Sequence, residues 1–281
     1  MTSMVMANKV TSLPRNETLY FAGLQWGPVT TLNVLAGSPG WPLTTVHNYN
    51  IIYETLFSFN QLNGELEPQL ATEYKWIDGL TVEVTLDSNA HFQDKTPFTA
   101  EDVVYSYELG KRYSVGYSAL WNYLEEINAV DDHTVQFIMK EDNPNSLILT
   151  HNLANVYMVP KKIYSAKEEE VNYDEVELRQ WTNLDPVGTG PYTVYQLSDE
   201  RIVLERYDNY WGEYKWGLPT PKYLVHPLFK SNDAGNRALE QGKVDISQQF
   251  IPRVWEMSLV KGLPIYTWYD ESPYHVPGNI P

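Results

Sequence analysis

The 281-residue chain contains no cysteine. Disulfides, thiol nucleophiles and thiolate-held zinc or iron–sulfur centres are therefore excluded. The compartment stays open, because many exported bacterial proteins also lack cysteine. No stretch reaches the ~18 consecutive apolar residues that a membrane-crossing helix needs. The N-terminus, MTSMVMANKV, has no charged segment followed by an apolar core of about 7–15 residues, so no signal peptide is read in this chain. Cations are scarce as well: 20 Lys and Arg face 36 Asp and Glu, a formal charge of −16. Nucleic acid and anionic membrane surfaces are bound by clustered Lys and Arg, and this balance argues against either as a partner.

Catalytic patterns are missing too. The six histidines, at 47, 91, 133, 151, 226 and 275, are scattered, without the HExxH or His-x-His spacing of a metal centre. A lone histidine on a strand or loop is expected to be structural. Gly188-Thr189-Gly190 lacks the third glycine and the following helix of a dinucleotide fingerprint, and Pro191 ends it. Neither a Walker loop nor a GxSxG elbow occurs. Carboxylates are adjacent (Glu101/Asp102, Glu125/Glu126, Asp131/Asp132), and sequence neighbours rarely face each other across a bond as two glycosidase carboxylates must. No catalytic residue, no metal and no cofactor is expected.

Aromatic residues are abundant: 9 Trp, 21 Tyr and 8 Phe make up 14% of the chain. Most are expected as large, half-buried side chains of a β-rich core, and a minority as the lining of a groove for planar or sugar-like ligands. Residues 81–86, TVEVTL, alternate apolar Val82, Val84 and Leu86 with polar partners, the pattern of a half-buried strand. HTVQFIM (133–139) repeats it, and YTVYQL and RIVLERY, from 192 onward, flank the turn SDE as a hairpin. Helix signals are rarer. TAED forms a capping box at Thr99, with Asp102 reaching back and Phe98 and Val103 at the staple positions, which predicts a helix to about Tyr113. A second short helix, 232–242, is expected to begin at Asn232 or Asp233 and stop at Gly242. The acidic run EEEVNYDEVE (168–177) reads as a solvated surface segment, and the 186–191 stretch as a domain crossover. Long strands with few helices and no regular βαβ rhythm predict a mixed α+β architecture.

Several blocks, in their order and spacing, resemble one family. DGLTVEVTLDSNAHFQDKTPFTAEDVVYSYE (78–108) resembles the signature of extracellular solute-binding protein family 5, the oligopeptide-, dipeptide-, nickel- and oligosaccharide-binding receptors of ABC importers. PVGTGPYTVYQLSDERIVLERYDNYWG (186–212) is similar to its VGTGPY…YWG block, and ALEQGKVDI (238–246) to its helix-to-strand step. YETLFSFNQLNGELEPQLATEYKW (53–76) fits as well. Leu86-Asp87-Ser88-Asn89 stands where the family has Leu-Arg-x-Gly, and Lys95 where glycine is common.

The resemblance implies an α+β, class II periplasmic-binding-protein-like receptor of two lobes. The chain looks like an N-terminal portion: the first lobe plus an inserted subdomain, with the second lobe largely missing. Residues 1–16 are then a disordered or expression-derived N-terminus, 17–48 and 186–262 the first lobe, 49–185 the inserted subdomain, and 263–281 the crossover toward the second lobe. The glycines of PVGTGPY are expected to allow a tight turn, and Tyr207, Tyr210 and Trp211 to cap the first lobe's core. A monomeric, non-enzymatic receptor is implied, working outside the cell or in the periplasm and delivering a small molecule to a membrane permease.

The ligand is read from aromatics and amides in loops that should edge the cleft. A pyranose has an apolar C–H face and a polar rim, which suits an aromatic platform bordered by amides. Candidate binding residues are Gln25 and Trp26 after the first strand, Asn33, Trp41, Asn48, then Gln248, Gln249 and Phe250 after the VDI strand, and Trp268 and Tyr269. PRNETLY…WGP and TWYDESPYHVPG look like the cellobiose- and cello-oligosaccharide-binding branch. An oligopeptide receptor of the same family stands as the alternative, and a carbohydrate-active enzyme or lectin module as the alternative from another class. A first lobe without its partner is expected to bind sugar very weakly.

Overall fold

The computed structural model describes residues 12–43, 50–60, 63–248, 251, 256 and 261–265. The chain forms two compact units. One comprises the chain up to Pro28, Gln196–Val203 and the chain from Pro221; the other comprises Val29–Tyr195 and Leu204–Thr220.

The first unit is organised around parallel pairing. Strand β1 (Thr18–Ala22) runs parallel to β10 (Tyr223–Pro227) on one side, in the register Thr18↔Tyr223 to Tyr20↔Val225. On its other side it pairs, again parallel, with β11 (Ile246–Ser247). The sheet order is β11-β1-β10-β9-β8, where β8 (Tyr192–Leu197) and β9 (Arg201–Arg206) form the expected hairpin, of which Gln196–Val203 belongs to this unit. Helix α6 (Asn232–Glu240) packs Ala238 against Ala22 and Val244. It begins at Asn232, as read from the sequence, and its cap is Ser231, whose hydroxyl accepts from the Ala234 amide at 3.2 Å. Serine serves here because its oxygen satisfies an orphan amide of the first turn.

The second unit contains the antiparallel pair β2 (Phe57–Asn60) and β3 (Glu65–Pro68) and the short helices α2 (Ser146–Leu153) and α5 (Glu213–Trp216). It also carries an antiparallel sheet in the order β4-β5-β7-β6, formed by β4 (Ala71–Trp76), β5 (Thr81–Leu86), β6 (Leu124–Asp131) and β7 (Thr134–Met139). The alternating residues of β5 and β7 face one core: Val82, Val84, Leu86, Val135, Phe137 and Met139 are all buried. Helix α1 (Ala100–Arg112) adds Val103, Tyr107 and Leu109 to the buried set, and Tyr107 meets Phe137 edge-on at 4.9 Å between ring centres. Burying one such side chain contributes on the order of 2–3 kcal/mol. The capping box at Thr99 is present, with Phe98 and Val103 both buried. Asp102 does more than close it. One carboxylate oxygen accepts from the Thr99 amide at 3.0 Å, and the other accepts from the Lys161 amide at 2.9 Å, the first residue of α3 (Lys161–Glu170).

Two expectations are corrected. The acidic run 168–177 is not uniformly solvated, because it spans the end of α3 and the start of α4 (Glu175–Gln180) and Glu168 is only 2% exposed. That carboxylate receives the Tyr105 hydroxyl at 2.5 Å, the Tyr113 hydroxyl at 2.7 Å and Arg112 Nε at 3.1 Å. Donors from three side chains converge on its two oxygens, which offsets the cost of burying the carboxyl group. The glycines of the 186–191 block have a different role from the one expected. A Cβ at Gly188 would lie 1.9 Å from the Ile52 carbonyl oxygen, and one at Gly190 2.4 Å from that of Ile51. Two backbones close together here, held by Gly190 N–H to Ile52 O at 2.9 Å, and only glycine fits between them. This block lies inside the second unit, as do residues 29–43.

Candidate ligand-binding loops

Strand β1 ends at Ala22, and Gly23 follows with φ +101°, a left-handed conformation that favours glycine. The chain then turns sharply enough for two consecutive amides, Leu24 and Gln25, to donate to one acceptor. That acceptor is His226 Nε2 in the neighbouring strand β10, at 3.1 and 3.2 Å. The Gln25 side chain closes the loop by donating from Nε2 to the Gly27 carbonyl at 2.9 Å. Trp26, between these anchors, is 48% exposed.

His226 is fully buried, 0% exposed, and burial lowers its pKa to about 4. Near neutral pH the ring is therefore uncharged. Since Nε2 accepts two hydrogen bonds, the proton resides on Nδ1. Phe21 of β1 packs against the ring, with centroids 6.4 Å apart. On the other flank of β1, the Gln248 amide donates to the Ala22 carbonyl at 2.9 Å and carries the pairing one step past β11, where the residue is exposed. Asp245 secures that flank by accepting from the Tyr20 amide at 2.8 Å and pairing with Arg15. Gln25, Trp26 and Gln248 thus follow the carboxyl ends of adjacent parallel strands, the position at which open α/β sheets place ligands. None of the three is ionisable, so they can stack and hydrogen-bond but cannot transfer protons.

The other expected residues sit differently. Asn33 is 0% exposed in the second unit, donating to the Leu178 carbonyl at 2.8 Å and accepting from the Leu35 amide at 3.0 Å. Its amide shapes a loop. Trp41 is 2% exposed and presents no face to solvent. Asn48, Gln249, Phe250, Trp268 and Tyr269 lie outside the described residues. Tyr210 and Trp211 are buried in the core of the second unit, and both donate to Glu54, at 2.6 and 2.8 Å. Gln69 adds a third donor at 2.5 Å, yet burial still raises the Glu54 pKa to about 7. A concavity of about 250 Å³ on α1 and β6, lined by Glu101, Val104, Tyr105 and Ile127, contains none of the expected ligand residues. Among the described residues no His, Asp or Glu cluster could hold a metal ion, and no helix is long and apolar enough to cross a membrane.

His226 and Asp245 were not singled out from the sequence. The available signal was a polar residue inside the apolar run YLVHP of β10, which marks a buried group needing a partner.

The family model described as bacterial extracellular solute-binding proteins, family 5 Middle, matches residues 65–277. The chain belongs to this family. The match takes in the 78–108, 186–212 and 238–246 blocks from which the family was read. A crystal structure of a mannohexaose-bound periplasmic oligopeptide-binding protein of an oligopeptide ABC transporter from Thermotoga maritima is similar at 34% identity and TM-score 0.83, covering 95% of this chain and 47% of that one. The periplasmic murein peptide-binding protein MppA of Escherichia coli is 29% identical over 253 residues, 81% of this chain and 44% of that protein. The oligopeptide-binding protein AppA of Bacillus subtilis, solved with a nonapeptide, shares the fold with TM-score 0.71 at 21% identity, covering 86% of this chain and 46% of that one. This family 5 chain therefore spans just under half the length of these relatives.

Proposed function

We propose that this chain supplies part of the binding site of an ABC-importer receptor, and that the receptor captures β-linked oligosaccharides such as cellobiose and cello-oligosaccharides. The observation that carries the proposal is the exposed Trp26, held in a closed loop beside the amides Gln25 and Gln248 at the carboxyl ends of parallel strands. An indole offers a flat apolar face to a pyranose, and flanking amides suit its hydroxyl rim. The likeness to a mannohexaose-bound protein at 34% identity supports a sugar. The whole receptor works as a monomer outside the cell or in the periplasm, closes over its ligand by hinge motion and passes it to membrane permease subunits. It catalyses no reaction.

A peptide ligand is the second reading, favoured by relatives such as MppA, whose name records murein peptide binding. A thermal-shift screen of the whole protein containing this chain separates the two. Cello-, xylo-, manno- and laminari-oligosaccharides are set against short peptides. Stabilisation by a β-linked oligosaccharide is expected. A shift with peptides alone sinks the sugar assignment, and turnover of a chromogenic glycoside would overturn the receptor reading itself.

A further inference from the structure

We propose that His226 is the positioning residue of the ligand loop, fixing the backbone of Leu24 and Gln25 and thereby the presentation of Trp26. The proposal rests on the reading of Gln25 and Trp26 as ligand-contacting residues.

In an extended chain successive amides point to opposite sides, so two consecutive N–H groups reach one atom only where the chain leaves that form. Gly23, at φ +101°, provides the departure immediately before the pair. The converging amides share a single acceptor. His226 Nε2, with its one lone pair in the plane of the ring, takes both in a three-centre arrangement at 3.1 and 3.2 Å. A carboxylate would bring a charge into a fully buried position, and a hydroxyl on a short side chain would not span from β10 to the loop. Imidazole combines reach, neutrality and stiffness, with Phe21 against its ring.

The clamp ends at Gln25, and Trp26 is the next residue before the loop is closed by Gln25 Nε2 on the Gly27 carbonyl. An exposed indole on an unconstrained loop would lose conformational freedom on stacking against a ligand. Clamping the preceding backbone removes part of that loss beforehand and so raises affinity. His226, fully buried, need not touch the ligand to do this.

The test combines hydrogen exchange at the Leu24 and Gln25 amides with calorimetric titration of cellopentaose and mannohexaose, using the whole protein. The variants are His226→Leu, His226→Asn, His226→Gln and Trp26→Ala. Leu has no acceptor, and the Asn side chain is too short to reach the loop. Gln places Oε1, with two lone pairs, near the position of Nε2. The Leu and Asn variants are expected to lose on the order of tenfold in protection at both amides and a similar factor in sugar affinity, with Gln restoring both. Circular dichroism identifies a Leu variant that has not folded, and the Asn variant then carries the comparison. Unchanged protection in the Leu and Asn variants overturns the proposal. So does lost protection with unchanged affinity in a protein whose binding Trp26→Ala weakens. If neither sugar binds, or if Trp26→Ala leaves binding intact, the oligosaccharide reading falls, and the exchange result alone decides the assignment of His226.

Discussion

Glu54 and His226 are both buried, and in each case burial disfavours the charged form. The consequences for stability run in opposite directions. Glu54 titrates at about 7 in the folded chain, above its ordinary 4.5, so the folded state holds a proton that the unfolded state has released. Its contribution is present below pH 4.5 and is lost as pH rises toward 7. His226, lowered from 6.5 to about 4, stays neutral while the unfolded ring charges, so stability is lost as pH falls from 6.5 toward 4. Each effect is on the order of 3 kcal/mol. Urea titrations across pH 4–8 are expected to show Glu54→Gln abolishing the loss toward neutral pH and His226→Gln abolishing the loss toward acid. Parallel pH curves for a variant and the parent would contradict the assignment for that group. Trp26 differs from these two because it is exposed. Trp26→Ala should change stability by less than about 0.5 kcal/mol. In the whole protein it should weaken oligosaccharide binding on the order of tenfold, about 1.4 kcal/mol.

Among the elements, helix α1 and the 186–191 block carry the sharpest consequences. Asp102 caps α1 and also receives the first amide of α3, so Asp102→Ala exposes orphan amides on two helices. A cost of about 2 kcal/mol is expected in urea unfolding, at the upper end of what a single cap supplies. A loss below 0.5 kcal/mol, within the range of an ordinary surface change, would show that the second contact contributes nothing. Gly188→Ala is more severe, because its Cβ would stand 1.9 Å from a carbonyl oxygen of the backbone. Neither backbone can give way cheaply, and the variant is expected to lose the cooperative melting transition or to melt at least 10 °C lower.

These elements also show what the sequence made legible. The strand 81–86, the hairpin after 192 and the capped helix at Thr99 depend on alternation and on contacts three residues apart, so local pattern sufficed. Glu168 was misread because its donors, Tyr105, Arg112 and Tyr113, lie more than 50 positions away. Trp26 and Trp41 occupy similar Gly- and Pro-rich loops, yet one is exposed and the other buried. Loop composition cannot separate them, because the decision is made by what packs over the ring.

At the scale of the whole molecule, family membership follows from blocks spread along the chain, while the ligand depends on a few exposed side chains. Gln25, Trp26 and Gln248 are gathered by parallel pairing of segments more than 200 positions apart in sequence, with β1 as the shared strand. A protein solved with a nonapeptide and one bound to mannohexaose share this fold, so the fold alone does not choose between ligands. The most direct measurement is isothermal titration of the whole protein containing this chain with cellopentaose and, separately, with tetra-alanine. Micromolar or tighter binding of cellopentaose and none of tetra-alanine is the predicted result. Binding of the peptide with no heat from the sugar would contradict the account.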